Sequence, residues 1–205
     1  MPAVCILVHG INISDSGAAT VDRLIPYLKS SFVIEQVDYG WMFVLGALFK
    51  ASFLASRVDA LLKQYAEKGW DINLIGHSNG CTIIYKALRK SEYTANVKNV
   101  VFIAPALDTS IDFPTDTIKY HVMYSPFDMP TKVAKIINYL PGLSNLCWGN
   151  MGAVGSTTPQ QGLTNYNVNA LYFTLSGKRK VFGHSTFFDH EVLTVFGPWL
   201  ERTIA

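Results

Sequence analysis

Residues Asp71–Lys90 read DINLIGHSNGCTIIYKALRK, and the reading of the whole chain turns on them. Ile72, Leu74 and Ile75 form a short apolar run of the kind that makes a buried strand. Gly76-His77-Ser78-Asn79-Gly80 follows without a gap. Cys81, Ile84 and Leu88 then recur at helical spacing, with Lys86, Arg89 and Lys90 on the other side. The pattern is strand, G-x-S-x-G, helix. A sharp strand-to-helix turn strains the serine backbone and crowds its neighbours, which is why small residues flank it. In return the hydroxyl stands exposed at a helix N-terminus, where partial positive charge favours a developing anion.

Working outward, the same alternation continues in both directions. Ala3–Val8 is an unbroken apolar run expected as a buried parallel strand, ending in His9-Gly10-Ile11-Asn12. Ser14, Asp15 and Ser16 offer N-cap oxygens to a helix over about 17–29, in which Pro26 is expected to kink or end it. Phe32–Val37 reads as a second strand. Leu54, Val58, Leu61, Leu62 and Tyr65 mark an amphipathic helix closed by Gly69. Beyond the opening unit, Val97–Ile103 and Ile118–Tyr124 are the next strands, and a helix is expected over about 131–139. Residues 141–169 are rich in Gly, Asn, Ser, Thr and Gln without a clean period, so they read as one long loop. Leu171–Leu175 is the expected last strand and Ser185–Ile204 the closing helix. Strands alternating with helices predict an α/β fold: a single domain over 1–205, a three-layer sandwich whose mainly parallel sheet of about six strands carries helices on both faces.

Composition bounds the function. The chain has 205 residues, 49% hydrophobic and 16% charged, with a net charge of +2. There is no basic run beyond Lys178-Arg179-Lys180, expected as a solvated turn, and no nucleic-acid partner is expected. Cys5, Cys81 and Cys147 are odd in number and widely spaced, which suggests reduced thiols rather than a disulfide framework or a zinc site. The N-terminus lacks a charged n-region and a cleavage site, so a cytoplasmic location is expected. The apolar stretch from Trp41 to Ala55 is too short for a membrane span and contains Lys50. No cofactor motif and no metal-ligand spacing is present, so neither is expected.

Together, His9-Gly10-Ile11 after the first strand, Gly76-His77-Ser78-Asn79-Gly80 after the third, an aspartate after the fifth and a histidine after the sixth resemble the α/β-hydrolase superfamily. The resemblance spans nearly the whole chain, and the serine turn is its specific part. By that resemblance the chain starts at the family's third strand, so the leading antiparallel strands and a large cap are expected to be absent, as in a minimal esterase- or lipase-like member. The resemblance implies Ser78 as nucleophile and His184, between the last strand and the last helix, as base, with His190 as the alternative. His121, inside a strand, reads as a core histidine. It implies Asp128 as the acid, with Asp108 second; the plain alternative for each is an ordinary turn aspartate. The oxyanion hole is expected from the backbone N–H groups of Asn79 and Ile11, or of Asn12 if the loop is cut differently.

The activity implied is hydrolysis of a small-molecule carboxylic ester or thioester through an acyl-enzyme. Amidase or peptidase chemistry is a close variant, and a non-catalytic binding protein that keeps the turn as structure is the other class. For the substrate pocket, Trp41 and Phe43 lie in an all-apolar segment, 41–49, that leaves the second strand. That segment reads either as an acyl-binding wall or as the buried start of the next helix. Trp148, in the long loop, is a candidate for the opposite wall.

Overall fold

The structure is a computed structural model. It describes residues 1–11, 19–39, 44–114, 116–138 and 147–205, and for 44–49 and 137–138 the backbone alone. Trp41, Phe43 and Asn12, named above, lie outside the described residues.

Six strands form one parallel sheet among the described residues: β1 (Ala3–Val8), β2 (Val33–Val37), β3 (Asp71–His77), β4 (Val97–Ile103), β5 (Lys119–Tyr124) and β6 (Leu163–Asn167). Their order is β2-β1-β3-β4-β5-β6 and every neighbouring pair is parallel. The interior strands β1, β3 and β4 are buried on both faces over most of their length, which is why β1 reads as an unbroken apolar run and β3 and β4 carry the apolar runs Leu74-Ile75 and Val100–Ile103. The chain leaves β1 for the edge strand β2 and returns across β1 to β3. The carboxyl ends of β1 and β3 therefore flank the point where the winding reverses, and ligand crevices open at such points.

Two cores cover the sheet. On one face, α2 (Val44–Ala66) and α3 (Asn79–Leu88) bury Leu54, Val58, Leu62, Ile84 and Leu88 against Val4, Ile6 and Leu74. On the other, a 3₁₀ turn (Val21–Leu24), α1 (Ile25–Leu28), α6 (Val168–Ser176) and α7 (His190–Ile204) bury Leu24, Leu28, Tyr172, Phe196 and Leu200 against Cys5, Leu7 and Ile75. This is the three-layer arrangement expected. Of the two remaining described α-helices, α4 (Met129–Asn138) packs on α5 (Met151–Val154), and α5 packs on β5.

Some expectations are corrected. The last strand is Leu163–Asn167, and Leu171–Leu175 belongs to α6. The Asn167 side chain caps that helix by accepting from the N–H groups of Asn169 and Ala170, and Gly177 at φ 71° ends it. The expected loop over 141–169 therefore holds α5 and β6. Over its described part, 19–29, the helix expected over 17–29 is instead the 3₁₀ turn followed by the single turn α1, with Pro26 in that first turn, where no N–H is needed, and the N-cap candidates Ser14, Asp15 and Ser16 lie outside the described residues. The closing helix starts at His190, after a separate 3₁₀ turn at Thr186–Phe188. No described helix is long and apolar enough to cross a membrane.

Candidate active site

Ser78 occupies the junction of β3 and α3 with φ 54° and ψ −120°, a conformation that side chains rarely adopt. Three backbone hydrogen bonds hold it there. Its N–H donates to Ile103 O at 3.0 Å, and its carbonyl accepts from Cys81 N–H at 3.1 Å and Ala106 N–H at 3.3 Å. The flanking glycines are required by contact rather than by torsion. A Cβ on Gly80 would lie 2.2 Å from Val8 O, and one on Gly76 would lie 2.9 Å from Cys81 N. Gly10, after β1, abuts the same turn: a Cβ there would meet Ser78 Cβ at 3.0 Å. The turn and the loop after β1 are thus in direct contact.

Three of the residues named from chain order converge here. Ser78 Oγ is 2.8 Å from His184 Nε2, and His184 Nδ1 is 2.9 Å and 3.0 Å from the two oxygens of Asp128. Asp128 is fully buried at the start of α4, where Oδ1 also accepts from Thr131 N–H at 3.2 Å. Gly152 leaves room for it, since a Cβ at that position would lie 2.9 Å from Asp128 Oδ2. Asp108 serves elsewhere: its Oδ1 accepts from Ser110 N–H and Oγ–H at 2.9 Å and 2.6 Å, an ordinary turn contact. His190 begins α7. His121 lies within β5, buried beside Asn99 and Tyr166, and burial lowers its pKa to about 4.

The segment carrying His184 is pinned from three sides. Ser125 Oγ–H donates to Phe182 O at 2.6 Å, Asn169 Nδ2–H donates to Lys180 O at 3.1 Å, and Gly183 N–H donates to Thr186 Oγ1 at 3.0 Å. Lys180 bridges to Asp189 and Glu191, so the basic run is anchored rather than freely solvated at that residue. His77 adds a fourth tie. Its Nε2 is 3.1 Å from His184 O and its ring centroid 4.9 Å from that of His184. Burial, reinforced by the neighbouring His184, lowers the His77 pKa to about 3, so near neutral pH it is uncharged and Nε2–H is the donor.

A cavity of about 620 Å³ opens over Ser78. Ile11, Asn79, Ala106, Val133 and Trp148 are among its walls, and none of the described lining residues is Lys, Arg, Asp or Glu. Met129 and Val133 of α4 line it while being exposed, so the mouth is apolar. Trp148 reaches the cavity because its segment is stitched to the loop after β4. Asp108 N–H donates to Cys147 O at 2.8 Å and Met151 N–H to Leu107 O at 3.0 Å. The Trp148 indole N–H donates to Asn79 Oδ1 at 3.2 Å. The sequence by itself does not mark the α4 wall. Its only sequence signal was apolar residues at helical spacing directly after Asp128, which also describes a core helix. Among the described residues, no group of three His, Cys, Asp or Glu side chains converges to hold a metal ion.

No protein-family model matches this sequence, and no curated protein matches it significantly. Solved structures do. A Xanthomonas campestris pv. campestris protein assigned to the alpha/beta hydrolase superfamily superposes with a TM-score of 0.56 at 16% identity, covering 98% of this chain and 99% of that one. A monoacylglycerol lipase from Paleococcus ferrophilus gives 0.55 at 11% identity, covering 98% and 93%. Aspergillus fumigatus lipase B gives 0.57 at 13% identity, covering 91% of this chain and 49% of that one. The chain has the α/β-hydrolase fold.

Proposed function

We propose that this protein is a serine hydrolase of small, uncharged carboxylic esters or thioesters. The observation that carries the reading is the continuous relay Ser78 Oγ–His184 Nε2–Nδ1–Asp128, with links of 2.8, 2.9 and 3.0 Å. In this reading Asp128, which can only accept when ionised, fixes the proton of His184 on Nδ1 and leaves Nε2 as the base. His184 takes the Ser78 proton as Oγ attacks the substrate carbonyl. The oxyanion forms against the N–H groups of Asn79 and Ile11. Asn79 is the first residue of α3, so its N–H has no acceptor within the helix and carries the helix's positive end. The proton on Nε2 then passes to the leaving group, and a water activated by the same nitrogen releases the acid.

The cavity bears on the substrate. Its volume falls in the range that encloses small molecules, and its described walls offer no fixed charge to pair with a charged acyl group. A medium-length acyl chain lying along Ala106, Val133 and Trp148 gains apolar burial at about 25 cal/mol per Å².

The test is a p-nitrophenyl ester series. Turnover of the wild type with kcat/KM rising from acetate to octanoate is the expected result, and Ser78→Ala and His184→Ala should each lose it. A folded wild type that turns over no ester would sink the reading. Turnover that does not rise with chain length would reject the apolar acyl site alone.

A further inference from the structure

The loop after β1 is held by a residue with no part in the relay. Val37, the last residue of β2, pairs with Val8, the last of β1. Two residues further on, Tyr39 therefore arrives beside His9 and Gly10. Its hydroxyl lies 2.6 Å from His9 O and 2.8 Å from Gly10 O, so one O–H is shared between two carbonyls. Its ring stacks on His9, with centroids 3.9 Å apart and planes 21° apart. His9 Nδ1 is itself 2.7 Å from Gly10 O. A carbonyl can only accept, so Nδ1 carries the proton, and Nε2 is left facing Tyr39 N–H at 3.5 Å. Gly10 O is thus gripped by two donors that also brace each other.

That grip has a consequence one atom along the chain. The Gly10 carbonyl and the Ile11 N–H belong to one planar peptide, and the described chain has no cis bonds. In a trans peptide the C=O and N–H point in opposite directions. Fixing the oxygen on the Tyr39 side therefore aims the N–H to the other side. Glycine by itself supplies little resistance to rotation of that peptide. Gly10 touches the Ser78 turn, and Ile11 lines the cavity over Ser78.

We propose that Tyr39 is a positioning residue for the oxyanion site, its hydroxyl acting with the His9 ring to hold the Gly10–Ile11 peptide so that the Ile11 N–H points at the developing oxyanion. The inference rests on the reading of Ser78 as nucleophile and of the Ile11 N–H as an oxyanion donor. Tyr39 touches neither substrate nor reacting atoms in this account; it acts through the peptide it holds. A misaimed donor costs part of what its removal costs, which is about 10²–10³ in turnover.

The experiment compares Tyr39→Phe with wild type. The substitution keeps the ring and its stack and deletes only the hydroxyl. Three quantities are measured: kcat and KM on a p-nitrophenyl ester, the inhibition constant of an alkylboronic acid that forms a tetrahedral adduct on the serine, and the thermal midpoint. The expected result is a fall of about 10- to 100-fold in kcat with KM within about twofold, matched by an equal weakening of the boronic acid. A purely structural tyrosine would lower the midpoint and leave the boronic acid unaffected; a folded variant with kcat and boronic acid affinity within twofold of wild type overturns the proposal. Should Tyr39→Phe not fold, His9→Phe keeps the stack, removes the other donor to Gly10 O, and must show the same split. A wild type that neither turns over ester nor binds the boronic acid overturns the hydrolase reading, and this inference falls with it.

Discussion

Ser78 stores strain at φ 54°, and its own backbone hydrogen bonds to Ile103, Ala106 and Cys81 hold that strain in place. Such a conformation costs on the order of 1–3 kcal/mol for a residue with a Cβ and little for glycine. Ser78→Gly should therefore be more stable than Ser78→Ala by about 1 kcal/mol in urea unfolding, with both devoid of ester turnover. Equal stabilities would mean that the turn is not strained. The acid is a second matter of single residues. Asp128 is buried against His184, whereas Asp108 serves a turn with Ser110. Asp128→Asn should lower kcat by about 10⁴, because the amide no longer fixes the base's tautomer. Asp108→Asn should leave kcat within a few-fold and cost at most about 1 kcal/mol of stability. Comparing kcat for the two variants checks the assignment, and the opposite order would reassign the acid.

At the level of elements, α3 and the loop after β1 meet at Gly80, where a Cβ would stand 2.2 Å from Val8 O and 2.6 Å from His9 O. Both are backbone atoms of an interior strand and its exit, so they cannot swing aside. Gly80→Ala should destabilise the fold by at least about 1–3 kcal/mol and, by pushing α3 off β1, lower kcat as well. Urea unfolding and ester turnover read the two effects, and wild-type values for both would show that the contact is slack. The elements that build this junction were legible because burial on both faces leaves an apolar run, as in Ala3–Val8 and Val100–Ile103. The edge was not. β6 reads LTNYN and pairs on one side only, so nothing forces its sequence to be apolar. The neighbouring LYFTL looked like a strand by composition, yet it buries Tyr172 four residues after Val168 and exposes Phe173 and Leu175. Its Asn167 cap and Gly177 stop were the signals that could have corrected it. The candidate site shows the same division. Ser78, Asp128 and His184 could be named from chain order: the first two follow β3 and β5 at the sheet's carboxyl edge, and His184, although α6 rather than a strand precedes it, keeps its place ahead of the closing helix. Tyr39 and the α4 wall could not, since their roles depend on the register Val8–Val37 and on which face of α4 meets the cavity.

For the whole molecule, two of the buried histidines make stability depend on pH. His77 and His121 have pKa values lowered from 6.5 to about 3 and about 4, in both cases chiefly by burial. Above pH 6.5 they are neutral in both folded and unfolded chains and contribute no pH dependence. As pH falls below 6.5 the unfolded chain binds protons that the folded one refuses, so stability drops, most steeply between pH 6.5 and 4. Each histidine adds a slope of up to about 1.4 kcal/mol per pH unit over that window. His121→Gln, remote from the candidate site, should flatten the loss of urea midpoint from pH 7 to 4, and an unchanged slope would show that His121 titrates normally when folded. We propose that this sheet, with the carboxyl ends of β1, β3 and β5 supplying the loop to Ile11, Ser78 and Asp128, makes Ser78 a nucleophile. Intact-mass analysis after reaction with a fluorophosphonate tests it most directly. The expected result is one adduct per chain, mapped to the peptide containing Ser78, lost in Ser78→Ala and formed far more slowly in His184→Ala. A folded wild type that stays unlabelled, or that carries its adduct elsewhere, would contradict it.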